Sequence, residues 1–152
     1  MKWIKKNIDT FYFDKKLNIY DKKLDKSDIN FLLEKVKKSK DNKSRLCLHR
    51  NIDASIHQML IFHKKNHKVR IHKHLNTEET YLLIKGKMKV NFFNKNGLIK
   101  NSTILSSVGT NYPFLIEVPK NTFHNQEFLK DTIFLEIKSG PFRKKNDIFF
   151  EN

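Results

Sequence analysis

At 152 residues, with 38% hydrophobic residues and 13 Phe, the chain is long enough for one domain built on one sizeable core. It contains no run of about 18 apolar residues and no apolar segment behind its basic start, Met1–Lys6, so neither a membrane span nor a signal peptide is expected. A single cysteine, Cys47, excludes an internal disulfide and fits a reducing cytoplasm.

The formal net charge of +15 invites a nucleic-acid or membrane-surface reading. The basic residues are nearly all Lys, however, and scattered. Only Arg45, Arg50, Arg70 and Arg143 are Arg, whereas readers of bases and phosphates usually enrich it. A basic binding module is therefore the weakest expectation.

In chain order, residues 1–26 mix apolar positions (Trp3, Ile4, Ile8, Phe11, Tyr12, Phe13, Leu17, Ile19, Tyr20) with Lys and Asp. Without clean periodicity they read as an arm, with room for a short strand, covering the domain or a partner subunit. Ser27-Asp28 offers an N-cap, and Ile29, Leu32, Leu33 and Val36 fall at i, i+3, i+4, i+7. That spacing predicts an amphipathic helix of about three turns ending near Lys37–Lys40, whose charges suit a helix C-terminus.

Beyond Asp41-Asn42, strands are expected at 45–50, 55–62, 68–74, 79–85, 87–93, 98–105, 114–118, 122–128 and 132–138, with a hairpin at Asn96-Gly97. So many short strands imply an antiparallel sandwich or barrel. The expected division is an arm and helix over 1–43, a β-barrel over 44–140, and a tail over 141–152 packed on it.

Within this frame His72 and His74 are two apart, so a strand puts both imidazoles on one face. Past the turn-like Leu75-Asn76-Thr77, Glu79 opens the apolar run Tyr81–Ile84, and a hairpin would return it beside the histidines. Two nitrogens and a carboxylate suit iron, manganese, nickel, cobalt or zinc. A lone His-x-His is more often a surface pair, so the weight rests on Glu79 and on the later Glu117–His124 (E-V-P-K-N-T-F-H).

Together these stretches resemble the two motifs of the cupin superfamily. Glu79 has four residues between it and His74 and six between it and Gly86, and Pro119 and His124 match the second motif. Asn66 and Asn121 stand where Gly is usual, and Asn tolerates a left-handed backbone. The resemblance implies a mostly-β, single-domain cupin (a double-stranded β-helix, or jelly-roll barrel) holding one divalent transition metal ion through His72, His74, Glu79 and His124. Arg45–His49, Ile56–Met59, Val69–His74 and Gly140-Pro141-Phe142 further resemble the small WbuC-type cupin metalloproteins of surface-polysaccharide gene clusters. That likeness covers roughly 44–142 and departs at Ile71, where Pro is usual, and at Ile148–Glu151.

Several neighbours are candidates for the same cavity. Arg70 shares strand parity with His72 and His74 and is expected to hold a carboxylate or phosphate of the substrate, with Arg45 a candidate across the cavity. His49 and His57 are candidate acid/base or supporting groups, and equally ordinary core or surface histidines. Tyr81 is a cavity wall or a proton donor, and Cys47 a fifth ligand or, more commonly, a small buried hydrophobe. His63 and His67, among Lys64, Lys65, Asn66 and Lys68, read as solvated loop.

The expected function is that of a metal-binding cupin acting on a small, anionic, carbohydrate-derived ligand. Lewis-acid (isomerase or epimerase) and iron (oxygenase) chemistry both fit. The rivals are a non-catalytic ligand-binding or sensor cupin and a basic surface-binding module. A homodimer is expected, burying the aromatic residues of the arm and covering edge strands.

Overall fold

The computed structural model describes residues 2–14, 16–18, 20 and 22–151; Ile19, one of the apolar positions assigned to the arm, lies outside them. Two strands, β1 (Trp3–Lys5) and β2 (Thr10–Phe13), precede helix α1 (Lys26–Val36). The rest is β: β3 (Lys43–Cys47), β4 (Ile56–His63), β5 (His72–His74), β6 (Glu79–Lys85), β7 (Lys87–Phe93), β8 (Ile99–Ser106), β9 (Leu115–Val118), β10 (His124–Phe128), β11 (Thr132–Ser139) and β12 (Asp147–Phe149). A seven-stranded sheet runs β1-β2-β3-β4-β11-β6-β9 and a five-stranded sheet β12-β5-β10-β7-β8. This is the expected mostly-β jelly roll.

Strand alternation sorts the side chains into two cores. Between the sheets lie Cys47, Met59, Ile61, Tyr81, Leu83, Met88, Val90, Phe128 and Phe134. The intervening residues Leu46, Leu60, Phe62 and Ile133 face the other way, where Trp3, Phe11, Phe13, Leu32 and Val36 cover them. Fully burying an apolar side chain of this size contributes roughly 1.5–3 kcal/mol. This face, more than helix propensity, therefore holds α1 in place.

Trp3, Phe11 and Phe13 of the arm are thus buried within their own chain, which removes most of that ground for a dimer, while Tyr20 stays exposed. β2 pairs parallel with β3, Thr10 opposite Arg45, and Trp3 Nε1 donates to Asp28 Oδ1 at 2.7 Å. The helix cap also differs from expectation. Asp25 is the N-cap, accepting from Ser27 N, and Asp28 reaches back to accept from Asp25 N, both at 2.8 Å. That reciprocal box outcompetes a cap at Ser27-Asp28 because it satisfies two helix-end donors.

Two strands are displaced. The third stops at Cys47 and Asn51–Ala54 turns outside it, Asp53 N donating to Asn51 Oδ1 at 2.9 Å. The strand expected over 68–74 shrinks to His72–His74, with only an isolated bridge upstream, Lys68 opposite Glu127, where Val69 N donates to the Gln126 carbonyl at 2.9 Å. Asn66 and Asn121 do take positive φ, 67° and 57°.

His63 corrects a further expectation. It is buried, its ring stacked 4.3 Å from Phe128 and 4.5 Å from His67. Burial, with His67 next, pushes its pKa from 6.5 down to about 2. An unfolded chain takes up this proton below pH 6.5 and the folded one does not, so stability is full above 6.5 and is lost as pH falls below it. The loss is about 1.4 kcal/mol per pH unit. Urea unfolding at pH 7.5, 6.5 and 5.5 should show this slope, reduced by that amount in His63→Phe; equal slopes would refute it.

Candidate metal centre

Strand pairing brings the two motifs together. β10 meets β5 with His124 opposite His72, and β11 sets Lys138 opposite Glu79 on β6. The ligand atoms of His72, His74, Glu79 and His124 all lie within 4.8 Å of one another. His74, Glu79 and His124 are buried, and His72 is partly so.

Each imidazole is tied from behind. His72 Nδ1 donates to the Arg70 carbonyl at 2.8 Å, His124 Nδ1 to the Thr122 carbonyl at 2.9 Å, and His74 Nδ1 to Asp147 Oδ1 at 2.6 Å. A proton held on Nδ1 leaves the Nε2 lone pair for the centre of the cluster. His74 Nε2 lies 3.0 Å from Glu79 Oε1 but has no partner in hydrogen-bonding geometry. Buried polar atoms rarely stay unpaired, and an ion at this point would satisfy it.

The electrostatics agree. Burial would push the His74 pKa down, but the Asp147 and Glu79 carboxylates outweigh it and hold it up at about 9. His72, buried beside His124, is pushed down to about 4. Burial would raise Glu79, but the Lys138 ammonium and the His124 and His74 rings beside it hold it well below the usual carboxylate range. The site keeps an anionic oxygen at its centre. Three imidazoles and a carboxylate fit a divalent first-row ion and can hold one.

Further contacts complete the cluster. The Tyr81 hydroxyl donates to Glu79 Oε2, lies 3.4 Å from His124 Nε2, and accepts from Gln126 Nε2 at 2.6 Å. Burial and the Glu79 charge raise its pKa well above 10.0, so it stays a phenol. Lys138 Nζ donates to Glu79 Oε1 at 3.0 Å and lies 3.5 Å from Glu136 Oε1.

A cavity of about 560 Å³ opens onto the cluster, with Arg45, Arg70, Tyr81, Glu136, Lys138 and Phe149 among its walls. Arg70 lies outside β5, so strand parity does not apply to it; it is among the cavity walls, its guanidinium 4.7 Å from the centre of the Phe149 ring. His49 and His57 are placed elsewhere. Their rings stack at 4.0 Å in a neighbouring cavity of about 160 Å³ that shares Arg45, Lys138 and Phe142 with the first. Cys47 sits in the interior core, outside the ligand cluster, and burial pushes its thiol up to about 12.

Lys138, Asp147, Gln126 and Glu136 were not anticipated. A lysine and a glutamate inside the apolar run 132–138 were the available signal, since alternation turns both toward the barrel interior. Asp147 had no local signal.

A family model described as "Domain of unknown function (DUF6016)" matches residues 24–105. No curated protein matches the chain. Among solved structures, KdgF from Halomonas sp. is similar at 15% identity and a TM-score of 0.53, covering 68% of this chain and 84% of that one. The capsular polysaccharide assembling protein CapF of Staphylococcus aureus is 18% identical with a TM-score of 0.58, covering 75% and 31%. Oxalate decarboxylase of Bacillus subtilis is 15% identical with a TM-score of 0.55, covering 71% and 27%. This chain therefore matches under a third of the last two, and at such identities the likeness shows the fold alone, that of a cupin. No helix among the described residues is long and apolar enough to cross a membrane.

Proposed function

The chain belongs to the DUF6016 family, a domain of unknown function, and we propose that it is a metal-dependent cupin whose ion is held by His72, His74, Glu79 and His124. The observation carrying this is the set of three imidazoles tied back through Nδ1 around a buried carboxylate. A divalent ion here supplies Lewis acidity toward a carbonyl or enediolate, or, as iron, dioxygen chemistry.

The proposed ligand is a small anion derived from a carbohydrate. Arg45, Arg70, Lys43 and Lys68 line the cavity, and a guanidinium grips carboxylate or phosphate through two parallel hydrogen bonds. The WbuC-type motifs support the carbohydrate class, as does the likeness to a capsular polysaccharide assembling protein. In this reading Arg70 and Arg45 orient the anion, Tyr81 keeps its proton on the phenol oxygen against Glu79, and the walls limit water. His49 and His57 act only if the ligand extends into the neighbouring cavity.

A charge-assisted contact is worth on the order of 1.5–3 kcal/mol. Arg70→Ala should weaken an anionic ligand roughly ten- to a hundredfold with metal content unchanged, and Arg70→Lys should recover only part of the loss. Calorimetry with sugar phosphates, uronic acids and nucleotide sugars tests this. If nothing anionic binds, or the Arg70 variants match the parent, the substrate class is wrong. Binding without turnover would instead identify the sensor reading, and uptake of nucleic acid lost steeply with salt the basic module.

A second copy is the proposed protein partner. Ile84, Phe114 and Leu115 are exposed beside β9, the open edge of the seven-stranded sheet, and such edges are commonly covered. Light scattering at micromolar concentration should give twice the 18.2 kDa chain mass; a monomer would end the proposal.

A further inference from the structure

The three imidazoles are not held alike. His72 and His124 donate to carbonyls two residues earlier in their own segments, so they carry their support with them. His74 depends on Asp147, 73 residues further along the chain and outside both motifs.

The pairing of β12 delivers that carboxylate. Asp147 stands opposite His74 and Phe149 opposite His72. The pairing is clamped on either side, Leu75 N donating to the Asn146 carbonyl and Phe150 N to the Ile71 carbonyl, both at 3.0 Å. Among the described residues Asp147 is the only carboxylate outside the cluster paired with one of its histidines. Without it, the His74 ring would lose the partner that orients it, and its Nε2 would lose a fixed direction.

We propose that Asp147 is a positioning residue of the metal centre, and that the C-terminal strand is a working part of that centre rather than a cover on the barrel. The proposal rests on the metal reading above. Asp147 touches no ion itself. It keeps the His74 proton on Nδ1, aims Nε2 at the cluster, and through its charge strengthens the imidazole as a donor, the usual role of a carboxylate behind a metal-bound histidine.

The test uses the full chain, stripped by a chelator and titrated with Zn²⁺ and Co²⁺ against a chromophoric competitor, with circular dichroism to confirm folding. Asp147→Ala should weaken both ions roughly ten- to a hundredfold. Asp147→Asn, which keeps a neutral acceptor oxygen, should fall between Asp147→Ala and the parent, and it carries the test if the alanine variant fails to fold. The Co²⁺ absorption bands should shift in Asp147→Ala and return toward the parent in Asp147→Asn, which mere loosening of the tail would not produce. Arg143→Ala, which removes the exposed 2.8 Å contact to Asp53 in the same tail, should bind as the parent does. Parent-like affinity and spectra in both Asp147 variants would overturn the inference and leave the metal centre standing. A parent chain that binds neither ion would overturn both.

Discussion

Loaded with a divalent transition metal and desalted, the parent chain should retain about one ion, and His124→Ala should lose it as completely as His72→Ala. The two histidines are far apart in sequence but face each other across the β5–β10 pair, their rings 4.4 Å apart. Either substitution removes one of four inward donors, leaving the other three unable to enclose an ion. The affinity loss should exceed the roughly hundredfold upper range for removing a supporting partner. Arg70→Ala, which touches the cavity but none of the ligand atoms, is the control that keeps its metal. Elemental analysis decides. Full occupancy in the His72/His74/His124 triple alanine variant would show that the cluster is incidental, and the functional reading would fall with it.

Gly86→Ala should cost about 4 kcal/mol, combining backbone strain and overpacking of roughly 1–3 kcal/mol each. Gly86 is the single residue between β6 and β7 and has φ +100°, where a Cβ would sit 2.3 Å from the Asp131 carbonyl oxygen and 2.8 Å from Thr132 Cα. Both obstacles are backbone and cannot swing away. For a chain of this size the melting temperature should drop by roughly 12 °C, and β6, which carries Glu79 and Tyr81, should be among the elements disturbed. Gly109→Ala is the comparison, with a similar φ of +91° but nothing within 4 Å of the added carbon. Its cost should be the backbone strain alone, about 1 kcal/mol. Equal melting temperatures for the two variants would refute the packing argument.

What could be read without coordinates followed from periods of two and of three to four. Alternation put His72 and His74 on one face, the 79–85 strand began at Glu79 as spacing required, and the spacing of Leu32 and Val36 marked the buried face of α1. Local backbone chemistry was equally readable. Asn66 and Asn121 adopt the left-handed conformation because their short polar side chains tolerate it.

Tertiary structure decided the rest, because alternation says which way a side chain points but not which strand lies next to it. The order β4-β11-β6 is set by pairing between distant segments. That order puts Lys138 against Glu79, and β12 against β5 puts Asp147 against His74. The same non-local pairing moved His49 and His57 into a neighbouring cavity and turned Trp3, Phe11 and Phe13 of the arm onto their own sheet. His63 is buried for a like reason: flanking lysines advertise a loop, but β4 extends to residue 63 and β11 pairs with it there, Thr132 opposite His63. The four clustered residues, His72, His74, Glu79 and His124, were therefore legible in local pattern. Their supporting groups, which aim each ligand atom, come from strands whose adjacency no short window of sequence encodes.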